Sequence, residues 1–302
     1  MLHLTVGIFG DNEFARKLGK KGTCNDIEIY NHGSSDGVFT YVCPNSDKVQ
    51  PLLQTLDMID VPAIIVKELT KEIGEIIIAV DCKGFEKGFI LTNNPDSIRN
   101  FIKGTCLEKF LIMEEDENAF RQEIIKFNIE RYNDTDVLVG IDNAFNVKSI
   151  GTVILGLVKD GIVKKYDKLM LEPNGKEILI KGIQSQDRDI EHAEAGMRVG
   201  LNLKGAEADD IKRGSVICKQ AKKGKEFTIE LESSKYNKEE LKEGIQIFLN
   251  IGAQVSVAML NKIDGNKFSI KTEHELAYIN NKCIVASTRG IAPRIIGKGR
   301  IL

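Results

Sequence analysis

Tryptophan is absent from this chain, and proline and histidine are scarce, at six and four residues in 302. No apolar run approaches the roughly 20 residues that cross a bilayer, so no membrane span is expected. The opening MLHLTVGIFGDNE has no basic segment and no small-residue cleavage site, so no signal peptide is expected. The six cysteines (Cys24, Cys43, Cys82, Cys106, Cys218 and Cys283) form no C-x-x-C pair. Scattered thiols without a framework fit a reducing cytoplasm better than a disulfide scaffold. The four histidines lie far apart, which leaves no metal site in view, and no Ser/His/Asp or Cys/His constellation can be assembled. His192, in the acidic turn Glu191-His192-Ala193-Glu194, is expected at the surface.

What is present is a soluble globular composition, 42% hydrophobic and 28% charged. The length suggests about two or three domains. The net charge of −2 argues against a broad nonspecific nucleic-acid binder but hides a gradient. Residues 1–135 carry 15 Lys and Arg against 22 Asp and Glu, residues 136–218 carry 12 against 13, and residues 219–302 carry 15 against 9. Such asymmetry points to an anionic partner approached by the C-terminal third, or to an uneven solvated surface.

The first 130 residues alternate short apolar strands and amphipathic helices. Strands are expected at 4–9, 38–42, 63–66, 76–80, 89–91 and 110–113, and helices at 13–19, 47–59, 67–73, 95–103 and 116–129. This pattern predicts a parallel sheet covered on both faces. Beyond about residue 133 the chain turns to short β-rich runs separated by Gly, Asp, Asn and Lys, the signature of barrels or sandwiches. Two small barrels are expected, joined by a linker over 219–225 (KQAKKGK), with a basic helical turn at 235–243 in the second. The domain boundaries are therefore 1–135, 136–218 and 219–302.

At the front end a strand, a glycine turn (Gly7 to Phe14) and a helix follow one another. A phosphate-binding loop of the form G-x-x-x-x-G-K-[ST] cradles phosphates on backbone N–H groups, with Lys on the β/γ-phosphates and Ser/Thr on Mg²⁺. In the frame opened by Gly7, Asn12 stands at the second Gly, Glu13 at the Lys and Phe14 at the Ser/Thr. A carboxylate repels a triphosphate and Phe cannot ligate a metal. Gly7, Gly10 and Asp11 are then either a weak anion site at a helix N-terminus or a relic turn kept for packing.

Residues 142–217 resemble the second domain of translational GTPases. SIGTVILGLVKDGIVKKYDKLML (149–171) is similar to the family's G-x-G-T-V-x-x-G-x-V-x-x-G-x-I-x-x-G-D-x-L. Residues 180–217 resemble its A-G-x-x-V-G-L-x-L-(K/R)-G followed by (D/E)-I-x-R-G-x-V-(I/L), carried here by Ala195-Gly196, Val199-Gly200-Leu201, Leu203-Lys204-Gly205, Asp210-Ile211 and Arg213-Gly214. Arg294 to Ile301 resembles the strand that closes the third domain, R-x-x-G-x-G-x-(I/V). The wording resembles selenocysteine-specific elongation factors and archaeal paralogues of elongation factor Tu more than it resembles the large two-domain translocases.

The resemblance implies a P-loop-like α/β domain followed by two all-β barrels of the translation-factor domain II and domain III types. The GTP-binding words fail one by one. Cys43-Pro44-Asn45-Ser46 stands where Asp-x-x-Gly is expected, Ala79-Val80-Asp81-Cys82-Lys83 where N-K-x-D should follow a strand at 76–80, and Glu114-Glu115 where a Ser-Ala pair should follow 110–113. The literal Asn261-Lys262-Ile263-Asp264 is expected to be a hairpin turn of the third domain. The resemblance implies a cytoplasmic, non-catalytic paralogue that binds tRNA, the ribosome or another translation component, with no cofactor. Lys204, Arg213, Arg294, Lys298 and Arg300 are the candidate RNA contacts, although strand alternation is expected to spread the C-terminal basic residues over both faces. The alternatives are a divergent elongation factor that still binds GTP and Mg²⁺, and a protein-assembly scaffold reusing the fold.

Overall fold

An eight-residue strand, β1 (Leu2–Phe9), runs through the middle of the first domain with six consecutive buried residues. The computed structural model describes residues 1–237 and 239–302, apart from the side chains of Thr23 and Cys24. After β1 come α1 (Asn12–Leu18), β2 (Lys20–Cys24), β3 (Ile27–Gly33), β4 (Gly37–Pro44), α2 (Val49–Met58), β5 (Val61–Ile65), α3 (Lys71–Lys83), β6 (Phe89–Leu91), α4 (Pro95–Phe101), β7 (Leu111–Met113) and α5 (Glu117–Ile125). They build one seven-stranded sheet in the order β2-β3-β4-β1-β5-β6-β7. The five strands from β4 to β7 are parallel, as continuous apolar runs require when helices cover both faces.

Three expectations need correction. Residues 76–80 are not a strand but the middle of α3, which includes only 71–73 of the helix expected at 67–73. The run Ile76-Ile77-Ile78 favours a strand by propensity, yet Thr70 caps the helix through Ile73 N–H and Gly84 ends it at φ 77. Residues 20–33, where no strand is expected, form the antiparallel edge pair β2–β3. The turn expected at 235–243 includes Lys238, which lies outside the described residues; its described neighbours are turns and irregular chain, not helix.

The second domain contains β8 (Leu138–Val147), β9 (Gly151–Asp160), β10 (Ile162–Lys164), β11 (Lys168–Glu172), β12 (Lys176–Ser185), β13 (Arg188–Ile190), β14 (His192–Glu194), β15 (Arg198–Lys204) and β16 (Val216–Cys218). The β11–β12 pairing closes six of these into a barrel around Val139, Ile154, Ile180, Leu201 and Ile217. In the third, β17 (Lys222–Ser233), β18 (Ile245–Ile251), β19 (Gln254–Asp264), β20 (Lys267–Tyr278), β21 (Lys282–Ser287) and β22 (Ile295–Ile301) close in the order β17-β20-β19-β18-β21-β22. Strand β17 starts inside the expected linker. Residue 135 lies between α5 and β8, and Cys218 is the last residue of β16.

The first domain's sheet separates two apolar cores. One joins β1 and β4 to α1 and α5 through Phe14, Phe89 and Phe120. The other, under α2 and α3, also includes Ile284, Ala286 and Ile295 of the third domain, so domains I and III share a core. Among the described residues no helix is long and apolar enough to cross a membrane.

Candidate functional site

In an open parallel sheet the loops leaving the carboxyl ends of the strands are where ligands bind. Here those loops bind one another. Gly10 leaves β1 at φ +90, and a Cβ on it would meet Ile65 O of β5 at 2.3 Å. Asp11 caps α1: its Oδ1 accepts the Glu13 N–H at 2.9 Å. Its Oδ2 accepts from Lys67 Nζ, on the loop after β5, at 2.5 Å, and the same ammonium lies 3.6 Å from Glu115 after β7. Burial would raise the Asp11 carboxyl, but the Lys67 bond and the α1 N–H groups outweigh it and hold it below the ordinary value. Asn12 Nδ2 donates to Pro44 O and Asn45 Oδ1 after β4, both at 3.2 Å.

The helix N-terminus thus holds the chain's own carboxylate. Glu13 turns outward to Arg16, and Phe14 is buried edge-on against Phe120 with centroids 5.6 Å apart. Gly7 lies inside β1, where a Cβ would reach Ile59 Cδ1 at 2.5 Å; close packing requires it.

Because 76–80 is helical, Ala79 to Lys83 do not follow a strand. Of the parallel strands between β4 and β7, β6 exits into Thr92-Asn93-Asn94-Pro95-Asp96, which has the spacing N-x-x-D with Asn94 in place of Lys. Asn94 caps α4 by accepting the Ser97 N–H at 3.4 Å, while Asn93 and Asp96 are exposed. The alternation rule alone missed this loop because it counted α3 as a strand. The literal Asn261 to Asp264 does end β19 at a hairpin tip, with Asp264 opposite Lys267 and Gly265 at φ 54.

Two of the candidate RNA contacts join domains. Arg213 Nη1 donates to Asp26 Oδ1 at 2.7 Å and Gln54 Oε1 at 3.3 Å, tying the second domain to the first. Arg294 forks onto Glu75 of α3, with Nη2 at 2.5 Å and Nε at 2.9 Å from the two carboxylate oxygens, and donates to Asp47 O at 2.7 Å. Both belong to a wider set. Asp57 on α2 meets Lys83 at 2.9 Å and Lys159 of β9, close to Gly252 of the third domain. Arg131 clamps Asp60 at 2.7 and 2.8 Å and lies where a Cβ on Gly196 would stand.

The remaining three candidates are at the surface. Lys298 and Arg300 alternate with Gly297 and Gly299 on β22 and share its outer face, while Arg294 turns the other way to Glu75. Lys298 pairs with Glu232 at 3.2 Å, and Arg300 lies opposite Glu230 and Lys282. Lys204 is exposed at the end of β15.

Among the described residues no group of three metal-ligating side chains occurs. Burial pushes the thiols of Cys43, Cys82, Cys106 and Cys283 up to about 12 and that of Cys218 up to about 11, so none of these is a poised nucleophile.

Residues 151–218 match the family model for elongation factor Tu domain 2. An uncharacterized protein of Methanocaldococcus jannaschii, MJ0325, is 34% identical over 99% of this chain and 99% of its own length. The selenocysteine-specific elongation factor of the same organism is 28% identical over 66% of this chain, which spans only 43% of that factor. The structure of translation elongation factor SelB from Methanococcus maripaludis, in complex with the GTP analogue GppNHp, superposes with a TM-score of 0.84 at 20% identity, over 99% of this chain and 78% of that one.

Proposed function

This chain belongs to the translational GTPase-like family of elongation factor Tu and the selenocysteine-specific factors, and we propose that it acts in translation by binding rather than as a nucleotide-driven switch. The observation that carries this is the Asp11–Lys67 pair. A phosphate approaching α1 would have to displace a carboxylate already bonded to the helix N–H and to the nearest ammonium, with Glu13 and Glu115 close by. Phe14, in the core, offers no oxygen to a metal. Without a γ-phosphate to order loops, the domain arrangement is constitutive, held by Arg213, Arg294 and Asp57.

The partner is tRNA or the ribosome, met in the cytoplasm by the two barrels. Lys204, Lys298 and Arg300 remain at the surface for phosphate contacts. The test is anisotropy with labelled tRNA across a salt series, with and without GTP, GDP and Mg²⁺. Salt-sensitive binding that nucleotide leaves unchanged is expected. Affinity that shifts with GTP against GDP would contradict it, as would no binding to tRNA or ribosomes. One observation favours a second reading, a divergent guanine-nucleotide binder: the exposed Asn93 and Asp96 keep the N-x-x-D spacing after β6.

A further inference from the structure

Tyr166, in the turn between β10 and β11, has φ 71. A bulky side chain at positive φ is an outlier, because its Cβ crowds the backbone where Gly would not. The family pattern has Gly at this position and at Ser149, which has φ 70 in the β8–β9 hairpin. Burial does not explain the tyrosine, since 67% of it is exposed. Its backbone is nevertheless fixed. Tyr166 N–H donates to Ile180 O at 2.7 Å, and Ile180 N–H donates to Asp167 O at 3.0 Å, so the turn is joined to β12 and the ring stands on a rigid base.

Lysines surround it. Lys168 on β11 lies opposite Leu179 on β12, and Leu179 opposite Lys204 on β15. Flanking Leu169, Ile178, Ile180 and Leu203 are buried, so this row faces outward. Lys181 extends it at the β12 bulge, and Lys164 ends β10 beside the tyrosine. Lys164, Lys168, Lys181 and Lys204 are exposed and make no ion pair among the described residues. Lys165 holds its ammonium 5.3 Å from the ring centroid and 3.4 Å from Glu191. Three carboxylates lie nearby, Asp167, which accepts the Lys164 backbone N–H, Glu191, which faces Lys165, and the exposed Glu177 of β12, and five lysines outnumber them, so the patch stays positive.

We infer that Tyr166 is a stacking platform for an unpaired RNA base, with Lys164, Lys168, Lys181 and Lys204 neutralising the adjoining phosphates. Aromatic rings set in a basic surface bind single strands because every base has a π-face to offer, whereas a duplex hides those faces. An acidic peptide would use the lysines but gains little from a rigid exposed ring. The assignment rests on the RNA-binding function proposed above and deepens it by naming a strand without base pairs and the residue that holds it.

The test uses the full chain and a fluorescein-labelled unpaired RNA of about ten nucleotides, within the usual site size for such surfaces. Tyr166→Gly is expected to melt at or above the temperature of the parent, because Gly accepts positive φ, yet to bind this RNA at least about fivefold more weakly. Tyr166→Phe is expected to keep the parent affinity, and the same strand annealed to its complement is expected to bind weakly and equally to all three proteins. Parent-level affinity of Tyr166→Gly for the unpaired strand would overturn the assignment. Were that variant also to retain tRNA binding, the wider RNA-binding function would stand without it. If the parent bound no RNA of any kind, both would fall. Tighter capture of an acidic peptide than of the RNA by the parent would likewise overturn it.

Discussion

Lys67 Nζ lies 2.5 Å from Asp11 Oδ2, and Asp11 in turn caps the helix that follows β1. The two residues sit on different loops, 56 positions apart in sequence, and together they fill the place where a nucleotide-binding member of this fold would hold phosphate. Asp11→Ala is expected to destabilise the protein by about 1 kcal/mol, chiefly through the lost cap. Asp11→Asn keeps an acceptor for the Glu13 N–H and should cost less, since Lys67 is 61% exposed and solvent screens that pair. Urea unfolding of both variants checks the order.

Gly10→Ala should cost more, about 2 kcal/mol or above, because φ +90 is unfavourable for any Cβ and the new carbon would press on Ile65 O at 2.3 Å. Denaturation midpoints compared with those of the parent measure it. A loss below about 0.5 kcal/mol would show that the β1 and β5 exits are not locked together as described.

The junction of domains I and III depends on Arg294. Its partner Glu75 has only 4% of its side chain exposed, so Arg294→Ala leaves a carboxylate buried without its cation, at about 3–5 kcal/mol. Replacing both residues with Met should recover most of that loss. A double-mutant cycle in guanidinium chloride gives the coupling directly.

Acid should loosen the three-domain junction. Burial would raise the Asp57 carboxyl, but Lys159 and Lys83 outweigh it and hold it well below the ordinary 3.8. A folded-state value below the unfolded one means the contribution is complete above about pH 3.8 and is lost as pH falls below it toward the folded value. Asp11 is shifted the same way and adds to this loss. Asp57→Asn is expected to cost about 2 kcal/mol at neutral pH, with Lys83 and Lys159 only partly buried, and to flatten the acid limb of stability against pH.

The barrels and most of the α/β sheet were legible in the sequence because period-two alternation and Gly-rich turns repeat along 138–302, and because Asn94-Pro95 and Gly10 mark helix starts and strand ends. Helix α3 was not legible: three consecutive isoleucines favour a strand locally, and only burial on two faces together with the Thr70 and Gly84 caps makes them helical. Strand β2 (Lys20–Cys24) has little apolar signal and β3 has one only over Ile27 to Tyr30, so pairing of β3 with β4 and of β2 with β3 decides them. The site was half legible. Glu13 and Phe14 declared that a phosphate lysine and a metal ligand were missing. Nothing local announced that Lys67 would answer Asp11, or that Arg213 and Arg294 would find acids 187 and 219 positions away.

Asp11 and Lys67 already hold the N-terminus of α1 with the chain's own charges. Isothermal titration calorimetry of nucleotide-stripped protein with GTP and GDP in Mg²⁺ shows whether a nucleotide can still enter there. No heat of binding into the high-micromolar range is the expected result. Low-micromolar or tighter affinity for either nucleotide would show that the Asp11–Lys67 pair leaves the site open and would restore a guanine-nucleotide switch.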